Sequence, residues 1–366
     1  MCNVAPAIAA HTHSPEQTPA EDFAERMIDT LNAGATALML SLGHRTGLFD
    51  GMAELPPASS AQIAAATGLN ERYVREWLGA MVAADIIDIE PDKGLYRLPP
   101  EHAACLTRAS TPDNIAVFAQ YIPLLGQVED DILQCFQRGG GVPYERYGRF
   151  HEVMAEDSAQ TVVAALSEHI LPLVPDLTKR LEKGIDVLDI GCGSGRALIH
   201  MAAVNPNSRF TGYDLSTEAI GRARAETERL GLTNTLFEVR DVTSLDESDN
   251  YDLITAFDAI HDQKHPGQVL AGIADCLRPG GNLLMQDIAG SSHHHEDKDH
   301  PIGAFLYTIS CMHCMSVSLA QGGDGLGAMW GKEKALEMLD EAGFEDVEVH
   351  SLEHDFQNFY YVAQAA

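Results

Sequence analysis

The most constraining feature of this sequence is a regular alternation of short apolar runs with helical stretches, which begins at Ile185. The strand-like runs are Ile185–Ile190, Phe210–Tyr213, Leu236–Val239, Leu253–Phe257, Asn282–Met285, Val347–His350 and Phe359–Val362. Buried strands that alternate with helices predict an α/β fold with a parallel, doubly wound sheet. Because ligands of open α/β sheets bind beyond the carboxyl ends of the strands, the residues that follow each strand are the first candidates for a site.

A glycine-rich loop, residues 189–195 with the sequence DIGCGSG, follows the first of these strands. Glycines allow the backbone to turn sharply and allow a ligand to approach the peptide planes. Asp214 ends the second strand, where a carboxylate can accept both ribose hydroxyls of an adenosine. Asp241 ends the third strand and can accept a hydrogen bond from an adenine amino group, while Val242 can pack on the ring. These residues together predict an adenosine-binding site.

At these positions, and at the tight turn Pro279-Gly280-Gly281 before the fifth strand, the sequence resembles the class I methyltransferases. The glycine-rich loop looks like the family's D/E-x-G-x-G-x-G loop, Asp214 resembles its ribose-binding acid, and Asp241 resembles its adenine contact. The resemblance covers about residues 181–366 and implies S-adenosylmethionine as cofactor and a Rossmann-like sheet of seven strands whose last strand is antiparallel. A nicotinamide dehydrogenase also carries a glycine-rich loop, but Asp241 and the Pro-Gly-Gly turn favour the methyltransferase. The expected cofactor residues are Asp189, Gly191, Gly193, Gly195, Asp214, Leu215, Asp241, Val242 and Phe257.

The N-terminal part of the chain has the pattern of a winged helix. A helix over Ala61–Thr67 is expected, with Ser60 as its cap and Gly68 as its end. Asn70 can cap a second helix, whose apolar residues recur at helical spacing. Two short strand-like runs within residues 86–98 are joined by the turn sequence Pro-Asp-Lys-Gly, which predicts a hairpin.

A winged helix before such a domain resembles the plant-type and bacterial small-molecule O-methyltransferases, which dimerise through it. The chain from about Glu21 is more similar still to a bacterial group of winged-helix class I methyltransferases, some of them described as transcriptional regulators. The similar stretches are residues 66–78 and 311–315. The segment Glu21–Phe49 is rich in Ala and Leu and offers more apolar surface than one small domain buries, so a homodimer is expected.

These patterns divide the chain into four parts. The expected parts are a disordered tail at 1–20, a winged-helix dimerisation domain at 21–110, a helical linker with a possible lid at 111–182, and the methyltransferase domain at 183–366. Within the linker, Tyr144, Tyr147 and Phe150 follow three consecutive glycines. They are candidates for an aromatic lid, or else for packing in the core.

The segment after the fourth strand, which begins at Asp258, contains the candidate catalytic residues. In the plant-type O-methyltransferases a His-Asp pair at this place carries the general base, and His261 and Asp262 match it. The family continues with Trp-x-Asp, whereas this chain has Gln263 and no second acid there. Asp287, just beyond the fifth strand, is a candidate to orient the imidazole. An imidazole can accept a hydroxyl proton near neutral pH as the methyl arrives, which predicts O-methylation of a small molecule with His261 as general base; the alternative for His261 is a helix-capping residue.

The segment Ser291–Gly331 is rich in histidine and cysteine. It contains His293, His294, His295, His300, Cys311, His313 and Cys314. A single C-x-x-C with scattered histidines is weak evidence for zinc, and the surrounding apolar run indicates a buried helix. We therefore expect no metal here: the last three residues are expected in the core, and the three consecutive histidines are expected to line the substrate pocket.

The charge of the chain opposes binding to nucleic acid. The formal net charge is −30, and residues 1–113 carry seven Lys and Arg against fifteen Asp and Glu. On the presumed recognition helix, Arg72 and Arg75 are offset by Glu71 and Glu76. Phosphate-binding faces gather cations, so an S-adenosylmethionine-responsive DNA-binding regulator is the less favoured alternative.

The seven cysteines and the start of the chain bear on the compartment. The odd number of cysteines argues against a disulfide scaffold, and the N-terminus lacks a signal-peptide pattern. The polar residues within the apolar run Ile302–Ala320 argue against a membrane span. We therefore expect a cytoplasmic protein with no membrane partner.

Overall fold

The computed structural model describes residues 18–365, which separate into two compact units between Gly126 and Gln127. The helices are α1 Pro19–Thr46, α2 Leu48–Ala53, α3 Ser60–Thr67, α4 Glu71–Ala83, α5 Pro100–Leu106, α6 Tyr121–Gly126, α7 Glu129–Arg138, α8 Phe150–Ser158, α9 Leu177–Lys183, α10 Arg196–Val204, α11 Thr217–Leu230, α12 Pro266–Cys276, α13 Gly303–Ile309, α14 Met315–Ala320 and α15 Gly331–Glu341. The strands are β1 Asp88–Glu90, β2 Leu95–Arg97, β3 Asp186–Ile190, β4 Arg209–Asp214, β5 Thr235–Val239, β6 Tyr251–Phe257, β7 Leu277–Ile288, β8 Phe344–Leu352 and β9 Asp355–Ala365.

Shorter helical turns connect these elements. The 3₁₀ turns are Arg108–Ser110, Ile115–Gln120, Tyr144–Arg146, Leu171–Leu173, Val242–Ser244 and Asp297–Asp299. The π-helical turns are Ala159–Val163, Leu166–Ile170 and Ser310–Cys314. Residues 1–17 of the predicted disordered tail lie outside the described residues, and α1 begins at Pro19, within the predicted range of that tail.

The caps of the first unit explain where its helices begin. Thr18 and Glu21 form a capping box at the start of α1, where each side chain accepts from the backbone of the other residue. Helix α3 is capped by Ser59, which accepts from Gln62 N, so the predicted Ser60 cap is wrong by one residue. Asn70 caps α4 as predicted, since its side chain accepts from Arg72 N at 3.0 Å.

A single apolar core holds the first unit together. The apolar face of α4 is buried and contains Trp77, whose ring meets Phe49 edge-on at 5.3 Å. The indole N–H of Trp77 donates to the carbonyl of Met39 at 2.8 Å, which fixes α4 against α1. Strands β1 and β2 pair antiparallel from Asp88↔Arg97 to Glu90↔Leu95 and form the wing. The predicted winged helix is confirmed.

The second unit contains a seven-stranded sheet in the order β5-β4-β3-β6-β7-β9-β8. Strands β3 to β7 pair in parallel, whereas β9 pairs antiparallel with both β7 and β8. The predicted doubly wound sheet and its antiparallel last strand are therefore confirmed. The carboxyl ends of β3, β4 and β6 lie side by side, which brings the predicted site segments together.

Both faces of this sheet are covered by helices. One face packs against α9, α10 and α11 through residues such as Leu198 and Phe210, and the other packs against α12 and α15 through residues such as Ile254 and Leu339. The Pro279-Gly280-Gly281 turn is a bulge within β7 rather than a turn before it, since the register with β6 shifts between Tyr251 and Leu253. Gly280 has φ +77°, which favours glycine at the bulge.

The apolar segment 303–320 consists of α13, a π-helical turn and α14. It is long and apolar enough to cross a membrane by length and composition alone, and 39% of it is buried within the fold. Gly141 lies so close that a Cβ there would come within 1.8 Å of Ser316 O, and Val142 N donates to Ser316 Oγ at 2.8 Å. These contacts show that the segment packs into the second unit, although its burial is less complete than the sequence predicts.

Candidate active site

A cavity of about 820 Å³ opens at the carboxyl ends of β3, β4 and β6. All of its lining residues lie between Pro143 and Gln321, within the second unit. The volume is within the range typical of sites for small molecules and cofactors. The cavity therefore lies where ligands of doubly wound sheets bind.

The glycine-rich loop is held against the end of β4 by one carboxylate. Asp214 Oδ2 accepts from Gly193 N at 2.8 Å, and Oδ1 accepts from Ser216 N at 2.7 Å. Gly191 has φ +65°, and a Cβ at this position would come within 2.6 Å of the Ala259 side chain. The loop therefore needs glycine for both its conformation and its packing.

Asp189 is a second carboxylate on the cavity wall, and it is only 3% exposed. It accepts a hydrogen bond from Thr255 Oγ1 at 2.7 Å, yet burial raises its pKa to about 7. The physical cause is the cost of holding a charge away from water, which exceeds the stabilisation from one hydroxyl donor.

Most of the predicted cofactor residues line this cavity. Those on its wall are Asp189, Gly191, Gly193, Asp214, Leu215, Val242 and Phe257. Gly195 and Asp241 are not on the wall: Gly195 leaves space for the Phe237 ring, which a Cβ would approach to 2.5 Å. Asp241 Oδ1 accepts from Thr243 N and Oγ1 at 2.9 and 2.6 Å, and these bonds lower its pKa. Its contact with adenine stays a prediction.

The side chains of the three predicted catalytic residues are in contact with one another in the order Asp262, His261, Asp287. His261 Nδ1 lies 2.7 Å from Asp287 Oδ1, and His261 Nε2 lies 3.3 Å from Asp262 Oδ1. Trp330 donates its indole N–H to the same oxygen of Asp287 at 3.0 Å. Asp262 lines the cavity, whereas His261 is 4% exposed and lies behind it. The imidazole therefore reaches the cavity through Asp262, not by facing a substrate directly.

The charges of the three side chains Asp262, His261 and Asp287 influence one another. Burial opposes a charged imidazole, but Asp287 and Asp262 outweigh it and raise the pKa of His261 well above its ordinary value. Burial also raises the pKa of Asp262, and the neighbouring His261 counteracts this shift. The two carboxylates thus favour the protonated imidazole, and Asp262 is the group that meets the cavity.

An aromatic cluster forms another part of the cavity wall. Tyr144, Tyr147, Phe150 and His151 line the cavity, and Tyr144 stacks on His151 with ring centroids 4.9 Å apart. On the inner side, Phe150 stacks on the fully buried His313 at 3.5 Å. The same rings therefore line the cavity and pack in the core, and their role as a lid stays a prediction.

The prediction that the three consecutive histidines line the pocket is wrong. His293, His294 and His295 are exposed and lie outside the cavity wall. Conversely, Asp258 lines the cavity with φ +49°, and burial raises its pKa well above its ordinary value. Its position directly after β6 was a signal that could have identified it.

The sheet order, the glycine-rich loop and the acid after the second sheet strand define a class I methyltransferase domain that follows a winged helix. Residues 34–108 match the family of the Rv2258c-like winged HTH domain, and residues 181–343 match the methyltransferase domain family. The chain therefore combines an Rv2258c-like winged HTH domain with a methyltransferase domain.

Relatives support this assignment. The 27-O-demethylrifamycin SV methyltransferase of Amycolatopsis mediterranei is 29% identical over 142 residues, which cover 37% of this chain and 50% of that protein. This chain thus matches about half the length of that relative. Human N-acetylserotonin methyltransferase in complex with S-adenosylmethionine superposes with a TM-score of 0.66 at 17% identity, covering 97% of this chain and 100% of that chain. Mitomycin 7-O-methyltransferase superposes with a TM-score of 0.67 at 16% identity, covering 95% of this chain and 100% of that chain. At these identities the two structures establish a shared fold.

Proposed function

We propose that this protein transfers a methyl group from S-adenosylmethionine to an oxygen atom of a small-molecule acceptor. The observation that carries the proposal is that the loop braced by Asp214 and the carboxylate of Asp262 lie on the wall of one cavity. When bound, S-adenosylmethionine supplies a methyl group on a sulfonium. The methyl–sulfur bond breaks, a methyl–oxygen bond forms, and the hydroxyl proton leaves, so the positive charge lost at sulfur equals the proton released.

The cavity residues fit this cofactor. We assign the ribose hydroxyls to Asp214 and the adenine to the apolar surface of Leu215, Val242 and Phe257, all of which line the cavity. Asp189 and other carboxylates on the wall suit a ligand that carries a sulfonium and an ammonium group.

We assign the acceptance of the hydroxyl proton to the chain of Asp262, His261 and Asp287. Asp262 meets the cavity and receives the proton, while His261 lies behind it and stabilises the charge on Asp262. Asp287 keeps the imidazole in place through the bond to Nδ1. General-base assistance helps most in the transition state, where the hydroxyl proton becomes acidic as the methyl arrives. In this assignment His261 still takes part in accepting the proton, as the sequence predicts, but Asp262 makes the direct contact with the acceptor hydroxyl.

The acceptor is proposed to be a flat ring compound with a free hydroxyl. Two of the structural neighbours are named for N-acetylserotonin and for the 7-oxygen of mitomycin. The wall of Tyr144, Tyr147 and Phe150 offers rings on which such an acceptor can stack. The volume of the cavity is sufficient for a cofactor together with a compact acceptor.

The test is methyl transfer from methyl-labelled S-adenosylmethionine to a panel of hydroxylated ring compounds, each paired with its amine counterpart. Label that moves to the hydroxyl compounds supports the proposal. Transfer only to amines contradicts the assignment to oxygen. If the purified chain does not bind S-adenosylhomocysteine in calorimetry, the whole proposal fails.

We further propose that the protein is a homodimer whose interface includes the exposed apolar face of α1. Phe23, Met27, Leu31, Leu38 and Leu42 recur at helical spacing and are between 41% and 75% exposed. A continuous apolar stripe of this kind marks a surface that another chain covers.

A DNA-binding role and a secreted location are both disfavoured. On α4, Arg72 and Arg75 form ion pairs with Glu76 and Glu71 at 2.5 and 2.6 Å, so their charges are compensated within the helix. Among the described residues the cysteines are free, which suits a reducing compartment. We therefore propose that the protein works in the cytoplasm on a small molecule, without nucleic acid.

A further inference from the structure

Three potential metal ligands from two distant segments meet beside the cavity. Between residues 18 and 365, His261, Asp262 and Cys314 are the one group of three such side chains whose ligand atoms all lie within 4.8 Å of one another. We propose that this cluster binds a zinc ion. The role of the ion in methyl transfer rests on the proposed function, whereas the binding itself does not.

The donor set suits zinc. An imidazole nitrogen, a carboxylate oxygen and a thiolate sulfur are the three ligand types that Zn²⁺ takes in proteins. Three protein ligands with a free fourth position are typical of catalytic rather than structural zinc. We assign the fourth position to the cavity side, because Asp262 is the member of the cluster that lines the cavity.

The surroundings of His261 orient it as a ligand. Its Nδ1 is bonded to Asp287, and the same oxygen of Asp287 also accepts from Trp330 Nε1 and Ile288 N. Metal-binding histidines usually make such a bond to a carboxylate, which leaves the other nitrogen for the metal. That nitrogen, Nε2, faces the buried Asp262 Oδ1 at 3.3 Å, and the geometry of this contact is not that of a hydrogen bond.

Cys314 is the last residue of the π-helical turn Ser310–Cys314. Such turns inside α-helices occur frequently at functional sites. Cys314 is 4% exposed, whereas Cys311, three residues earlier in the same turn, is half-buried and does not belong to the cluster. The C-x-x-C pattern as a whole therefore does not bind the proposed ion. One of its cysteines, Cys314, binds it together with His261 and Asp262 from another segment.

The ion would replace two protons, the one between His261 and Asp262 and the one on the Cys314 thiol. When bound, a zinc ion would lower the pKa of an acceptor hydroxyl at its fourth position and so favour loss of that proton to solvent. His261, Asp262 and Cys314 would hold the ion, and this activation of the acceptor would take the place of the proton transfer to Asp262.

The test uses the full chain, stripped with a chelator, dialysed and titrated with Co²⁺ as a spectroscopic substitute for Zn²⁺. We expect one ion per chain with a thiolate-to-cobalt charge-transfer band. Cys314→Ser removes the band, and the matched variant Cys311→Ser keeps it. Asp287→Asn keeps the band but weakens binding by about 10–100-fold, as is typical for the loss of an outer partner of a metal-bound histidine. Ions bound by surface histidines give no such band.

The affinity for S-adenosylhomocysteine, measured on the same samples, separates the two proposals. Absence of the band in the parent, its persistence in Cys314→Ser, or its loss in Cys311→Ser overturns the metal site. A protein that binds the cofactor product and transfers methyl groups without the band overturns the metal site alone. A protein that shows the band but binds no cofactor product overturns the proposed function alone.

Discussion

Replacement of Asp214 by alanine is expected to weaken binding of S-adenosylhomocysteine more than any loss of charge elsewhere on the surface. The carboxylate has two roles in the structure. It bonds Gly193 N and Ser216 N, and it lies on the cavity wall where the ribose is proposed to bind. Alanine removes both the contact with the ligand and the brace that holds the glycine-rich loop.

The magnitude follows from the kind of bond that is lost. Hydrogen bonds to a charged group contribute about 1.5–3 kcal/mol each, and the two ribose bonds share one carboxylate, so we expect a loss of about 2–3 kcal/mol. That corresponds to a dissociation constant about 30–150-fold higher. The loss of the two backbone bonds also lowers the free energy of unfolding of the free protein, by about 1–3 kcal/mol. Asp214→Asn keeps one acceptor oxygen and is expected to fall between the parent and the alanine variant.

The assay is isothermal calorimetry with S-adenosylhomocysteine, together with denaturant unfolding. The control is Glu226→Ala, which removes a partly exposed carboxylate on α11 that pairs with Arg229, and it is expected to bind as the parent does. Unchanged affinity in Asp214→Ala would refute the assignment of the ribose site. Equal losses in both variants would show that overall charge, and not this contact, governs binding.

Three further predictions concern the other parts of the molecule. Asp262→Asn and His261→Ala are expected to lower kcat by about 10²–10⁴-fold with little change in cofactor affinity, and turnover within a few-fold of the parent from pH 6 to 9 would show that neither group takes part. Burial raises the pKa of Asp189 to about 7, so the stability that its protonated form contributes is complete below the unfolded pKa near 4 and is lost as the pH rises through 7. Between pH 5 and pH 8 the free energy of unfolding of Asp189→Asn should therefore rise by about 2–3 kcal/mol relative to that of the parent in denaturant unfolding. Parallel pH profiles of the two proteins would contradict this. In sedimentation, Leu31→Glu is expected to convert the dimer to a monomer, whereas the neighbouring control Asn32→Glu stays a dimer. A parent protein that sediments as a monomer would contradict the proposed homodimer.

Much of the fold was accessible from the sequence because its signals are local. Strand–helix alternation, the glycine-rich loop and the cap at Asn70 each depend on residues close together in the chain, and all appear in the structure at the predicted positions or within a few residues of them. One of the errors was also local in kind. The cap of α3 moved from Ser60 to Ser59, because two adjacent serines give the same cap pattern and only the backbone conformation distinguishes them.

The class of fold and the acids at the strand ends could be inferred from the sequence alone, since the alternation and the order of strand-end residues are visible along the chain. Which of these residues share a cavity wall depends on the tertiary structure. Only folding placed His261 behind Asp262, brought Trp330 to Asp287, and put Cys314 beside them, while it left His293–His295 in solvent. The physical reason is that these contacts join segments far apart in the chain, and their geometry depends on how helices pack on the sheet, which no local pattern encodes.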